Sequence, residues 1–133
     1  MRDIELMTKE GLRYEDIHDL IREKFQDYET ITDDPKEDEG RIYVRKPEGH
    51  EVLDIYFSPG DTMSQNSEWY EEWQLKRFPF DPHLTCVCFR GEETINRFVQ
   101  ALVDFGLEFW VLAESDEILE PKDFLPYHFY MPW

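Results

Sequence analysis

The sequence predicts an α+β domain: a two-layer sandwich in which one mixed sheet of four or five strands carries two main helices. Three observations predict it. Apolar residues recur at three- and four-residue steps over 14–28 and again over 92–105, the spacing of a helix with one buried face. Two β-rich runs, 41–46 and 51–57, stand on either side of a turn containing Pro47 and Gly49. A strand-like run, the second helix and another strand-like run follow one another over 84–113, the succession of a C-terminal β-α-β unit. With 133 residues the chain has the size of one domain, taken as 1–133, and its 10 Phe, 7 Tyr and 4 Trp supply enough ring area for a packed core.

In the first helix Ile17, Leu20, Ile21, Phe25 and Tyr28 make the apolar stripe. Glu15 and Asp16 sit at its positive end, with Arg22 and Lys24 nearer the other. The stretch 30–40 carries Asp33, Asp34, Glu37, Asp38 and Glu39 with Pro35 and Gly40, and reads as a solvated loop. In the hairpin that follows, Leu53, Ile55 and Phe57 share one face, and Val52, Asp54 and Tyr56 the other. Ser58-Pro59-Gly60-Asp61 ends it. Over 68–77, Trp69 and Trp73 lie four apart, which favours a short helix capped by Ser67 over the rival alternation of Trp69, Glu71, Trp73 and Leu75. Pro79 and Pro82 then exclude helix interior and central strand.

The last third is the clearest. Leu84–Arg90 is an apolar strand ended by Gly91. Ile95, Phe98, Val99, Leu102 and Phe105 stripe the helix 92–105, and Gly106 is its natural stop. Leu107–Ala113 is a strand with Phe109 and Val111 on one face. A turn at 114–117 leads to a short Ile118–Leu119 segment, and the aromatic tail Phe124–Trp133 is expected to pack back on the body.

Charge narrows the function classes. There are 31 Asp and Glu against 14 Lys and Arg, a net charge of −17, and both halves of the chain are acidic. That opposes a basic face for direct nucleic-acid binding and adsorption to anionic lipid. No apolar run approaches the roughly 20 residues of a membrane span, and Met1-Arg2-Asp3-Ile4-Glu5 lacks a signal-peptide core. The expected setting is a reducing cytoplasm.

Motifs that could carry chemistry are sparse. Cys86 and Cys88 point to one face of a strand, but a structural zinc site takes four ligands and no second pair exists, so two free thiols and no metal are expected. His18 beside Asp16 and Asp19, His50 beside Glu51, and His83 beside Asp81 are what 31 carboxylates place near any histidine; none shows a nucleophile. Phosphate-cradling glycine loops are absent, and no cofactor is implied. Asp54, inside an apolar strand, is expected to face water.

The stretch Glu68-Trp69-Tyr70-Glu71-Glu72-Trp73 stands apart, because Trp and Tyr are common interface anchors and flanking carboxylates suit a cationic partner. The competing reading makes both tryptophans core residues. The sequence therefore points to a non-enzymatic acidic protein that engages a basic protein, in the manner of an immunity protein, antitoxin, phage-encoded inhibitor or nucleic-acid mimic. Its partner-binding residues would be Asp33, Asp34, Glu37, Asp38, Glu39, Glu68, Trp69, Glu71, Glu72 and Trp73. The alternative is a small hydrolase using His and carboxylate in a cleft; a concave site around a buried His would favour it.

Overall fold

A computed structural model describes residues 2–36 and 39–127, for 33–36 and 39 the backbone alone. Seven strands and four α-helices succeed one another as β1 (Arg2–Thr8), α1 (Tyr14–Lys24), β2 (Glu29–Lys36), β3 (Glu39–Arg45), β4 (Glu51–Phe57), α2 (Glu72–Leu75), β5 (His83–Phe89), α3 (Glu92–Phe105), β6 (Trp110–Leu112), β7 (Ile118–Leu119) and α4 (Pro121–Phe124), with a 3-10 helix at Ser64–Trp69 before α2. The strands form one sheet in the order β2-β3-β4-β5-β1-β6-β7, and every neighbouring pair is antiparallel. The α+β class is as the sequence predicts. The sheet is larger than the expected four or five strands, and its ladders are antiparallel where a mixed sheet was expected.

Two strands account for the difference. β1 lies inside the sheet, between β5 and β6, where the sequence pattern predicts no element. It alternates Asp3 and Glu5 on one face with the buried Ile4 and Leu6 on the other, so half of its pattern is polar. β2 occupies the stretch read as a solvated loop. Thr30, Ile31 and Thr32 pair with Val44, Tyr43 and Ile42, so β-branched residues and a waiting strand edge outweigh the acidic composition. Because β5 and β6 are each antiparallel to β1, they are parallel to each other, and the predicted β-α-β unit is split by the N-terminal strand.

Both long helices contribute to the core on one face of the sheet. Ile17, Ile21 and Phe25 from α1 and Ile95, Phe98, Val99 and Leu102 from α3 meet Ile4, Leu6, Ile42, Val44, Leu53, Ile55, Val87 and Val111, all buried. α1 stops at Lys24, shorter than the predicted span to Tyr28, although Phe25 still inserts into the core. α3 has the predicted limits and ends on Gly106, whose φ of 92° places it in the left-handed region that glycine adopts without strain. Phe105, expected on its buried stripe, is 54% exposed. β6 spans only Trp110–Leu112 of the predicted 107–113. In the tail, Phe124 is buried and stacks on Tyr127 with centroids 5.8 Å apart; residues 128–133 lie outside the described ones.

The opposite face is only partly covered. Residues 63–80 cross it, and Met63, Phe78, Tyr70, Leu75 and Phe80 pack on Met7, Leu84, Trp110 and Leu112. Beyond this satellite core the face is polar, and cross-strand register sets it out in rows. Arg41, Tyr56, Cys86, Glu5 and Leu112 form one row; Tyr43, Asp54, Cys88 and Asp3 form the next.

Candidate interaction site

The crossing segment is anchored by side-chain hydrogen bonds to β1, to the turn at 114–117 and to Asp81. Tyr70 Oη donates to Glu5 Oε2 at 2.6 Å, a contact between residues 65 apart in sequence. Gln74, buried, donates from Nε2 to the Asp116 carbonyl at 2.8 Å, and its Oε1 accepts from the Glu71 backbone N–H at 2.8 Å. At the other end Asp81 accepts from the Ser64 backbone N–H at 2.9 Å and from the Ser64 hydroxyl, which fastens the start of the 3-10 helix. A segment so anchored holds whatever it displays in a defined place. It displays Trp69, 74% exposed, and Trp73, 54% exposed, among the exposed carboxylates of Glu68, Glu71 and Glu72. The reading of these tryptophans as core residues is therefore overturned; the apolar contacts beneath are made by Met63, Tyr70, Leu75 and Phe78 instead. The single short helix expected over 68–77 is a 3-10 helix and a four-residue α-helix with Tyr70 at the break.

Between this segment and the sheet lies a cleft of about 260 Å³. Glu5, Cys86 and Leu112 lie in one row of the sheet below it, Trp69 and Tyr70 line it from the crossing segment, and Asp3, Glu114 and Asp116 supply further carboxylates. Burial pushes the Glu5 carboxyl above the usual carboxylate range; the Tyr70 hydroxyl pulls it back, and Asp3 and Asp61 push it up again. Burial, with the Glu5 carboxylate behind it, likewise raises the Tyr70 phenol. Glu114 is held by Arg2, Nη1 to Oε2 2.7 Å.

Asp54, in the neighbouring row, is neutralised by Arg41 of the first row. Arg41 donates to both oxygens of Asp54, Nε to Oδ1 at 2.8 Å and Nη2 to Oδ2 at 2.7 Å, and Tyr56 Oη adds a bond at 3.2 Å. Asp54 is 5% exposed, which corrects the expectation that it faces water. Arg41 also lies over the rings of Tyr43 and Tyr56. Sequence reasoning marked Asp54 and missed its partner, because Arg41 across the hairpin becomes visible only once the register is known.

The other expected partner-binding residues fall elsewhere. Asp33 and Asp34 belong to β2, the edge strand, and Glu39 to β3 beside it, and Glu37 and Asp38 lie outside the described residues. β4 and β5 stand between that hairpin and the cleft over β1, so the two acidic groups do not form one cluster around the tryptophans.

The residues weighed for catalysis do not converge on the cleft. His18 Nδ1 is 3.3 Å from the exposed Asp19 on α1, His50 is exposed at the hairpin turn, and His83 donates from Nδ1 to the Pro59 carbonyl at 2.6 Å. Asp81, two residues before His83, is occupied with Ser64. Cys86 and Cys88 are free, and burial, with Cys88 next, pushes the Cys86 thiol up to about 12, far from a reactive thiolate. Among the described residues no group of three His, Cys, Asp or Glu is placed to hold a metal ion, and no helix is long and apolar enough to cross a membrane. No family model, curated protein or solved structure matches the chain.

Proposed function

We propose that the protein is a non-enzymatic binding module that engages a basic protein through the acidic, tryptophan-bearing surface of residues 68–73. The observation that carries this reading is the exposure of Trp69 and Trp73 on a segment hydrogen-bonded to β1 and to the Asp116 turn. Leaving two large rings in water is unfavourable in the free protein; burying them against a partner recovers that free energy. Glu68, Glu71 and Glu72 around them, with a net charge of −17 behind, steer a cationic surface toward the rings and repel an acidic one. Inhibition of a basic enzyme, as by an immunity protein, an antitoxin or a mimic of nucleic-acid charge, is the form of action this chemistry suits.

The test begins with capture of partners from the source cell on immobilised protein at low and at high salt, in parallel with a Trp69→Ala/Trp73→Ala variant. The reading predicts a basic protein retained at low salt by the wild type and lost on the variant. Equal retention on both would move the interface elsewhere.

A further inference from the structure

We propose that the cleft beside Trp69 is the seat of a single arginine side chain from the basic partner, with Glu5 as its counter-charge and the Trp69 ring against its guanidinium. This rests on the binding role assigned above and deepens it. At about 260 Å³ the cleft lies below the range of sites for drug-sized ligands and has room for one protruding side chain.

Its charge is uncompensated in a specific way. Glu114 already has Arg2, whereas Asp3, Glu5 and Asp116 have no ionic partner among the described residues. Glu5 is half-buried at the centre of the sheet, and the Tyr70 hydroxyl is its only hydrogen-bond partner among them. A carboxylate in that position is poorly solvated, and a cation entering the cleft relieves it. Asp54 gives the contrast: it has its guanidinium from Arg41 of the same chain, bound through both oxygens and lying over two tyrosine rings. The cleft offers the same ingredients, carboxylate and aromatic ring, with the guanidinium missing.

Arginine fits better than lysine. Trp69 presents an exposed indole on which a planar guanidinium stacks, and a fork of donors can reach Glu5 together with Asp3 or Asp116. Leu112 and Ala113 provide apolar surface for the methylenes.

The experiment titrates the isotope-labelled protein with acetyl-Gly-Arg-Gly-amide, its lysine counterpart and its neutral citrulline counterpart, followed by NMR. The readouts are the indole N–H of Trp69, assigned with Trp69→Phe, and the backbone amides of 112–116. The arginine peptide is expected to shift these signals, the lysine peptide to shift them less, and the citrulline peptide to leave them in place. Glu5→Gln should weaken arginine binding about tenfold, the loss of one charge-assisted contact. Its urea midpoint should be equal to or above the wild type's, because the amide still accepts from Tyr70 and an unneutralised charge is gone. Equal shifts with citrulline, no shifts in the cleft, or unchanged arginine affinity in Glu5→Gln would each overturn the inference. If the cleft stays silent while the captured partner is still lost on Trp69→Ala/Trp73→Ala, the arginine seat fails and the binding role stands. If the partner too is indifferent to the tryptophans, both fail.

Discussion

Arg41→Ala tests how the open face of the sheet is held together. The substitution removes two charge-assisted hydrogen bonds of 2.8 and 2.7 Å to Asp54, whose side chain is 6% exposed, and leaves that carboxylate with Tyr56 Oη at 3.2 Å. At 2.7 Å and an effective dielectric of about 20, the gross attraction is roughly 6 kcal/mol, most of it offset by the solvation both groups give up. What the variant exposes is the cost of an unpaired buried charge, about 3–5 kcal/mol where both partners are buried. Here the arginine side chain is 31% exposed, so water can enter the space it leaves, and the lower end, about 3 kcal/mol, is expected. In urea unfolding, with a slope of about 1–3 kcal/mol per molar, that lowers the midpoint by about 1–3 M. Replacing the pair together, Arg41→Leu with Asp54→Leu, should restore most of the loss, because no charge is then left buried. An Arg41→Ala variant within about 1 kcal/mol of wild type would refute the reasoning.

Three further outcomes are expected. Phe98→Ala, at a side chain with no exposed surface between α3 and the sheet, should cost about 3–5 kcal/mol, a large share of the roughly 5–15 kcal/mol available to a domain, read from the same unfolding curves. Cys86 should alkylate slowly in the native protein at mildly alkaline pH, since burial holds its thiol near 12, while denaturant should release two modifiable cysteines by mass spectrometry. Glu5 has its carboxyl raised by burial, so the native state holds that proton to higher pH than the unfolded chain does. Stability should therefore fall as pH rises through the window just above the ordinary carboxylate range, and Glu5→Gln should flatten that part of the profile.

How much of this was legible in the sequence depends on whether local pattern or distant pairing decides. The α3 stripe, its Gly106 stop and the β3–β4 hairpin were legible, because three-residue steps and turn residues are local signals. β1 was not: Asp3 and Glu5 read as polar chain until β5 and β6 supply partners on both sides, although Ile4 and Leu6 alternate with them. β2 was hidden by Asp33, Asp34 and Pro35, residues that signal turns, and is recruited by the edge of β3. Phe105 continues the helical stripe in sequence but is the last residue of α3, where its ring meets solvent. At the candidate site, residue type marked 68–73 and could go no further, because a core and an interface both call for tryptophan. The choice was made by Tyr70 reaching Glu5 and by Gln74 reaching Asp116, contacts across 65 and 42 residues.

The same register bears on how the acidic surface is probed. Asp33 belongs to a strand and is in register with Arg41 across β2 and β3, so a substitution there would confound folding with binding. Glu68, Glu71 and Glu72 are exposed, and the contact of Glu72 with Lys76 at 2.6 Å is a surface pair of little energetic consequence. The most direct measurement is the association rate of the captured partner with wild type and with Glu68→Lys/Glu71→Lys/Glu72→Lys, across a range of ionic strength. Electrostatic recruitment through this surface predicts a wild-type rate that falls steeply with salt, a variant about tenfold or more slower at low salt, and two curves that converge as screening shortens the reach of the charges to about 8 Å and below. Superimposable curves at low salt, with both proteins folded, would contradict it.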